Sequence, residues 1–210
     1  MKKLSVPILL ATGIVLTTIL YLHKKQSKKP IRKLPYYGPI ELTDKTQHTI
    51  PSFTLINQYN EPVTKKDVEG KIYVADFFFV TCRSICPLMA QQMTRIYKEF
   101  HHDTDILILS HTVNPEHDSI PVLKQYAEKH GVFDKKWLFL TGHKKHLYEL
   151  VRKGYLLNAE EGDGGPDDFI HTQNFALIDK HGHIRGYYDG TDSIEISRLI
   201  QDIHILKQEE

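Results

Sequence analysis

An almost continuous apolar run lies in the middle of this chain and leads into a pair of cysteines. It reads Lys71-Ile-Tyr-Val-Ala-Asp-Phe-Phe-Phe-Val80-Thr-Cys82-Arg-Ser-Ile-Cys86-Pro87. A β-prone run of this kind is typical of a central strand that is covered on both faces. Proline is favoured in the first turn of a helix, and residues 88–100 have helical spacing. The stretch therefore predicts a buried strand, a cysteine-bearing turn and a helix.

The rest of the chain continues this alternation of strands and helices. Residues 52–57 alternate between apolar and polar side chains and meet a turn cluster at 58–62, which indicates a β-hairpin. Further strands are expected at 105–113, 137–140, 174–178 and 184–188, and helices at 121–130, 144–153 and 193–206. This order predicts an α/β protein with a mixed sheet flanked by helices on both faces. A thioredoxin-like architecture with an N-terminal β-hairpin fits it best.

Composition and charge exclude several classes of protein. Of the 210 residues, 40% are hydrophobic and 25% are charged, which is the composition of a globular chain. Two cysteines exclude a four-cysteine zinc finger or a four-thiolate iron–sulfur cluster within one chain. Residues 1–33 hold eight of the 27 basic residues and no acidic one, so the remaining 19 face 26 acidic residues. A body with a net charge of −7 argues against nucleic acid as a partner.

The N-terminal segment has the pattern of a membrane anchor. Leu4 to Leu22 contains no charged side chain, and as a helix it would be about 28 Å long, enough to cross a bilayer core. No convincing small-residue cleavage site follows it, so an uncleaved anchor is favoured over a signal peptide. The sequence predicts an anchor at 1–25, a linker at 26–45 and a folded domain at 46–210. More Lys and Arg follow the span than precede it, and the positive-inside rule alone would keep the domain in the cytoplasm.

The cysteine pair allows more than one chemistry. If the helix began near Cys82, the spacing to Cys86 would place both sulfurs on one helix face. The helix N-terminus and the neighbouring Arg83 would both favour thiolate over thiol. The pair could be a structural disulfide, a redox pair or part of a soft-metal site. A thioredoxin-type redox pair normally has two intervening residues rather than the three found here.

A metal site needs a further ligand, and the chain has 13 histidines. Two thiolates and one neutral imidazole would suit Cu(I) well. Most of the histidines lie in polar contexts and are expected to be solvated. His111, at a strand end, is a weaker candidate. His171 follows a Gly- and Asp-rich loop at 161–168 and opens a strand, which would present it near the end of the sheet.

Several motifs in this order resemble the Sco/SenC family, over roughly residues 50–206. They are the Cys82-x-x-x-Cys86-Pro87 motif after a Phe-rich strand, Thr112-Val-Asn-Pro-Glu-His-Asp118, Trp137-Leu-Phe-Leu-Thr-Gly142, and the His171 strand followed by Asp179-Lys-His-Gly182. Two departures stand out. Arg83-Ser84 replaces the Pro-Asp that many relatives carry, and Ile170 precedes the histidine where an acidic residue is frequent, with Asp168 three positions back.

The resemblance implies a membrane-anchored, thioredoxin-like copper protein that helps to assemble the copper A centre of cytochrome c oxidase. It implies that Cys82 and Cys86 are thiolate ligands and His171 the imidazole ligand of Cu(I), and it leaves open whether Cu(II) is bound as well. The implied partner is the oxidase subunit that carries the copper A site. The implied location is the cell inner membrane, crossed once, with the domain in the periplasm or an equivalent extracytoplasmic space.

The resemblance favours a metallochaperone over an enzyme, but it leaves a second role open. In that alternative the chain is a thiol–disulfide oxidoreductase that keeps the partner's cysteines reduced. Cys82, nearer the exposed loop, would then be the attacking residue, and Cys86 the second member of the redox-active pair.

Overall fold

The computed structural model describes residues 32–40, 46–157, 170 and 172–209. The strands in this part of the chain are β1 (Thr54–Asn57), β2 (Pro62–Thr64), β3 (Ile72–Phe78), β4 (Ile106–Thr112), β5 (Trp137–Thr141), β6 (Asn174–Ile178) and β7 (Ile184–Asp189). The helices are α1 (Lys65–Val68), α2 (Cys86–Glu99), α3 (Ile120–Lys129), α4 (Lys144–Glu149) and α5 (Ser193–Glu209). The expected strands are confirmed, as are the helices expected at 88–100, 121–130 and 193–206, whereas the four-residue helix α1 was not predicted.

The strands form one mixed sheet in the order β2-β1-β5-β4-β3-β6-β7. The three central strands β3, β4 and β5 are parallel, and the outer strands pair antiparallel on both sides. All seven residues of β3 are buried, as its apolar sequence predicted. The predicted α/β class, with a mixed sheet and an N-terminal β-hairpin, is therefore confirmed.

Each face of the sheet carries its own apolar core. Successive side chains of a strand point to opposite faces, so Val74 and Phe78 of β3 enter one core and Ala75 and Phe77 the other. The first core is completed by α2, α3 and α5 and contains both cysteines; we call this side the cysteine face. The second is completed by α1, α4 and the hairpin; we call it the histidine face, because His111 lies there.

The hairpin turn shows how local sequence fixes the edge of the sheet. The side-chain Oδ1 of Asn57 accepts hydrogen bonds from the backbone N–H groups of Tyr59 and Glu61, at 2.9 and 3.0 Å. Asn60 has a φ of 61°, a left-handed conformation that asparagine tolerates better than most residues. Gln58 is buried and donates to the Trp137 carbonyl at 3.0 Å, which ties the turn to β5.

The segment before the hairpin is anchored to the domain by an arginine. Leu34 is buried in the cysteine-face core, and Leu34–Gln208 forms one compact unit. Arg185 donates hydrogen bonds to the Leu34 carbonyl at 2.7 Å and the Pro35 carbonyl at 3.1 Å. The same guanidinium contacts the Asp179 carboxylate at 3.1 Å, so its charge is compensated. Leu34 and Pro35, which fall within the predicted linker 26–45, thus pack on the domain.

Two further expectations concern helices. The predicted helix at 144–153 is α-helical only to Glu149 and ends in a π-helical turn, Leu150–Gly154. Here Tyr155 donates its N–H to the Leu150 carbonyl at 2.8 Å, and a Cβ at Gly154 would lie 2.8 Å from Leu150 Cδ1. Among the described residues, no helix is long and apolar enough to span a membrane. The predicted anchor at 1–25 lies outside them.

Candidate functional site

Both cysteines follow the carboxyl end of β3. Helix α2 begins at Cys86, with Pro87 in its first turn, so Cys82 precedes the helix. The expectation that helical spacing aligns the sulfurs is therefore wrong. The turn itself brings the two side chains together, because Cys82 donates its N–H to the Phe79 carbonyl at 3.1 Å and its sulfur is hydrogen-bonded to that of Cys86. Both thiols are free, and their residues are only 9% and 5% exposed.

The pKa values of the two thiols are shifted in opposite directions. Burial raises the pKa of Cys82, but hydrogen bonds from the Cys86 thiol, the Ser84 hydroxyl and the backbone N–H groups of both residues outweigh it and lower the pKa to about 7. The Ser84 oxygen lies 3.5 Å from the Cys82 sulfur. Burial, followed by the hydrogen bond given to Cys82, raises the pKa of Cys86 to about 12. Hydrogen bonds, rather than the charge of Arg83, therefore account for the thiolate character of Cys82.

A buried carboxyl below the cysteines was missed in the sequence. Asp76 is 4% exposed on the cysteine side of β3 and accepts a hydrogen bond from the Ser110 hydroxyl, which in turn accepts one from Trp137 Nε1 at 2.7 Å. Burial raises the pKa of Asp76 to about 7, and its negative charge adds to the raised pKa of Cys86. The available signal was an acidic residue inside an otherwise apolar strand, which is rarely buried without a role.

A second buried carboxyl ties the cysteine turn to the loop after β4. Asp118 is 1% exposed, and its Oδ2 accepts hydrogen bonds from the Val80 N–H at 3.2 Å and from the Thr112 hydroxyl. Thr112 Oγ1 also accepts the Asn114 N–H at 2.9 Å. Val80 lies two residues before Cys82, so this carboxyl positions the start of the cysteine turn. The sequence motif containing Asp118 was noticed, but its contact with Val80 was not foreseen.

The candidate histidines are not placed beside the thiols by the described part of the structure. His111 is fully buried on the opposite face of the sheet, where it stacks on Phe77 at 4.8 Å. Its Nδ1 lies 3.3 Å from the Asp76 carbonyl, and burial lowers its pKa to about 4. His171 lies outside the described residues. Within the described ranges, no group of three or more His, Cys, Asp or Glu side chains could hold a metal ion.

A family model described as SCO1/SenC matches residues 41–207, which is most of the chain. The chain belongs to the SCO1/SenC family. Among curated proteins it is similar to the SCO1 protein homolog of Bacillus subtilis, with 29% identity over 168 residues. That match covers 79% of this chain and 86% of the relative.

Solved structures of family members share the fold. A SCO1/SenC family lipoprotein of Bacillus anthracis matches with 28% identity and a TM-score of 0.66, over 76% of this chain and 95% of its own. BsSco, a Sco family cytochrome c oxidase assembly protein in which a disulfide switch was identified, matches with 28% identity and a TM-score of 0.66, over 78% and 95%. Copper-bound ScoI of Bradyrhizobium japonicum, 20% identical, has the same fold at a TM-score of 0.58, over 73% and 98%. The thioredoxin-like fold predicted for this SCO1/SenC chain is thus confirmed.

Proposed function

We propose that this SCO1/SenC protein binds copper and helps to assemble the copper A centre of cytochrome c oxidase. The observation that carries the proposal is the pair of free, hydrogen-bonded thiols on the turn after β3, in a chain of this family. Cys82 and Cys86 are the proposed thiolate ligands, and His171 is the proposed third ligand. The partner is the oxidase subunit that receives the ion.

The donor set suits a soft monovalent ion. Thiolate is the ligand preferred by Cu(I), and two thiolates with one neutral imidazole complete a three-coordinate site. With a pKa of about 7, Cys82 is largely ionised at slightly alkaline pH, whereas Cys86 must lose its proton when the ion binds. Uptake of copper would therefore release about one proton per ion near pH 8. The ion would be cargo, passed to the partner's thiolates by exchange of ligands.

An anaerobic titration of Cu(I) into the reduced full chain, against a competing chelator, tests the site. We expect one tightly bound copper per chain and no tight binding after Cys86→Ser. His171→Ala should weaken binding at least about 30-fold, or roughly 2 kcal/mol. His143→Ala, which removes an exposed histidine, is the matched control and should leave the affinity unchanged.

Two results would count against parts of this site. Tight binding that His171→Ala leaves unchanged would remove His171 and leave a two-thiolate site. No tight binding by the wild-type chain would reject copper binding altogether and favour the second function.

The unequal thiols favour a second function, thiol–disulfide exchange. The Cys82 thiolate would attack a partner disulfide, forming a mixed disulfide and releasing one partner sulfur as a thiolate. That thiolate would accept the Cys86 proton, and Cys86 would then attack Cys82 and release the second partner sulfur. The partner gains two electrons and becomes a dithiol, while Cys82 and Cys86 become a disulfide.

Trapping the mixed disulfide separates this function from copper delivery. The Cys86→Ser chain should accumulate an adduct with an oxidised model dithiol through Cys82, and Cys82→Ser should not. His171→Ala should leave this exchange rate unchanged within about twofold, because the step needs no imidazole. Equal trapping by both single-cysteine variants would contradict the proposed order of attack.

The proposed location is the inner membrane, with the domain on the periplasmic or an equivalent extracytoplasmic side. Its support is the uncharged stretch Leu4 to Leu22 and the partner implied by the family. In that arrangement the anchor would raise the concentration of the domain near a membrane-bound oxidase. The full chain should resist extraction of membranes by alkaline carbonate, and external protease should digest its domain in spheroplasts. Digestion only after lysis would place the domain in the cytoplasm instead.

A further inference from the structure

A basic groove lies beside the cysteine turn, between helices α2 and α3. Its volume is about 460 Å³, and no Asp or Glu side chain lines it. The lining residues that matter here are Pro87, Gln92, Arg95, Lys98, Lys129 and His130. Pro87 directly follows Cys86, so one end of the groove adjoins the thiol site.

The positive charges of the groove are not compensated by the protein. Among the described residues, Arg95, Lys98 and Lys129 form no ion pair with a carboxylate, although many other basic side chains do. Lys98 and Lys129 are exposed, and burial, reinforced by Lys129, lowers the pKa of His130, so that this ring is mostly neutral at pH 7. The groove therefore presents three cations on a body whose net charge is −7.

Arg95 is held in place by neutral partners. Its guanidinium donates to Gln92 Oε1 at 2.7 Å, to Ser197 Oγ at 3.0 Å and to the Ser193 carbonyl at 3.3 Å. These bonds link α2 to the start of α5. They hold the guanidinium in one orientation without neutralising its charge. A preorganised cation costs little further ordering when an anion binds.

From these observations we infer that the groove binds an acidic, extended peptide segment of the protein on which the thiols act. Charge complementarity selects the occupant. The groove attracts an acidic segment, whereas the rest of the domain, which carries a net negative charge, repels it. From Pro87 to Lys98 the helix spans about 17 Å, the length of about five extended residues. A segment seated there would lead its neighbouring residues to Cys82 and Cys86. The inference rests on the proposed function only in naming the partner as a substrate of these thiols.

Peptide binding to the full chain tests the groove. The probe is a fluorescein-labelled pentapeptide of alternating Asp and Glu, followed by fluorescence anisotropy at low salt. We expect saturable binding that Lys98→Glu with Lys129→Glu weakens at least about tenfold, since two attractions become repulsions. The control, Lys66→Glu with Lys145→Glu, makes the same change in net charge at exposed lysines outside the groove and should alter affinity less than about twofold.

The other possible outcomes of the peptide experiment would each overturn the inference. Absence of peptide binding, or equal weakening by both double variants, would overturn the groove as a specific site. Displacement of the peptide by inorganic phosphate at equal concentration would also overturn it, in favour of a simple anion site. Equally tight binding of an Asn/Gln pentapeptide would show that charge does not select the occupant, which would overturn the inference as well.

The copper titration distinguishes a failure of the groove from a failure of copper binding. The Lys98→Glu, Lys129→Glu chain should bind Cu(I) as the wild-type chain does, which would support a docking site distinct from the thiols. If it loses copper, the two lysines belong to the thiol site and a separate groove is overturned. If the wild-type chain binds the peptide but no copper, the groove stands and copper binding fails.

Discussion

The two faces of the central sheet bury polar groups of opposite kinds. The cysteine face holds acids: two thiols and two carboxyls, Asp76 and Asp118, lie among its apolar side chains. The histidine face holds a base that stays neutral, His111, stacked among aromatic rings. Burial disfavours the charged form of each of these groups. It raises the pKa of Asp76, Asp118 and Cys86 and lowers that of the base, whereas at Cys82 hydrogen bonds to the sulfur outweigh it. The fold therefore favours the neutral forms of the two carboxyls on the cysteine face and of the imidazole on the histidine face.

We expect the largest effect on stability from a substitution of Asp76 on the cysteine face. Its pKa in the fold is about 7 against an ordinary value of 3.8, so ionised Asp76 costs about 4 kcal/mol of stability above pH 7 and nothing below about pH 4. Asp76→Asn keeps an acceptor for the Ser110 hydroxyl. As pH rises from 4 to 7, the free energy of unfolding of the variant should therefore increasingly exceed that of wild type. Above pH 7 the difference should stay constant. Urea unfolding of both full chains at pH 5 and pH 8 measures this; a difference that is the same at both pH values would contradict it.

The next effect has the opposite sign and comes from His111. Its pKa is about 4 in the fold against 6.5 when exposed, so the unfolded chain takes up the proton first and wild type loses about 3 kcal/mol as pH falls from 6.5 to 4. His111→Phe keeps an aromatic ring on Phe77 and removes this loss. The unfolding free energy of the variant minus that of wild type should therefore be larger at pH 4.5 than at pH 7, by about 2 kcal/mol. His102→Phe, at an exposed position, should keep the wild-type dependence.

A smaller effect tests whether Asp118 positions the cysteine turn. Asp118→Ala leaves the Val80 N–H and the Thr112 hydroxyl without their acceptor, which costs about 1–3 kcal/mol. The alkylation rate of Cys82 by iodoacetamide should change as well, because the turn is no longer tied to the neighbouring loop. Glu116→Ala, at an exposed position in the same loop, should change stability by less than about 0.5 kcal/mol. If the alkylation rate stays the same in Asp118→Ala despite the loss of stability, the carboxyl supports the fold without positioning the turn.

The smallest expected effect concerns the difference in pKa between the two thiols. Ser84→Ala removes one hydrogen bond to the Cys82 sulfur and should raise the pKa of Cys82 above its present value of about 7. At pH 7 the alkylation rate should fall by about twofold, because less thiolate is present. Ser52→Ala, at a distant exposed position, serves as the control. A pH profile of alkylation that coincides with wild type would show that the hydroxyl does not stabilise the thiolate.

Much of the fold follows from local pattern. The run ending at Val80 predicted β3, Pro87 predicted the start of α2, and the cluster after Asn57 predicted the hairpin, because strand periodicity and turn residues act over a few neighbours. Helix α1 was missed because four residues carry too little periodicity. The π-helical turn Leu150–Gly154 was missed because the spacing of apolar residues does not distinguish one π-helical turn from the end of an α-helix.

By itself, the sequence determined the alternation of strands and helices, the mixed sheet and the nearness of Cys82 to Cys86. Only the tertiary structure decided that Asp76 lies under the thiols, that His111 lies on the other face, and that Asp118 reaches Val80. The first two placements depend on the register of β3 and β4, since a shift of one residue would send each side chain to the opposite face, and the third depends on how the loop after β4 packs on the cysteine turn. Burial and pKa are set by neighbours distant in the chain, which a local pattern does not contain.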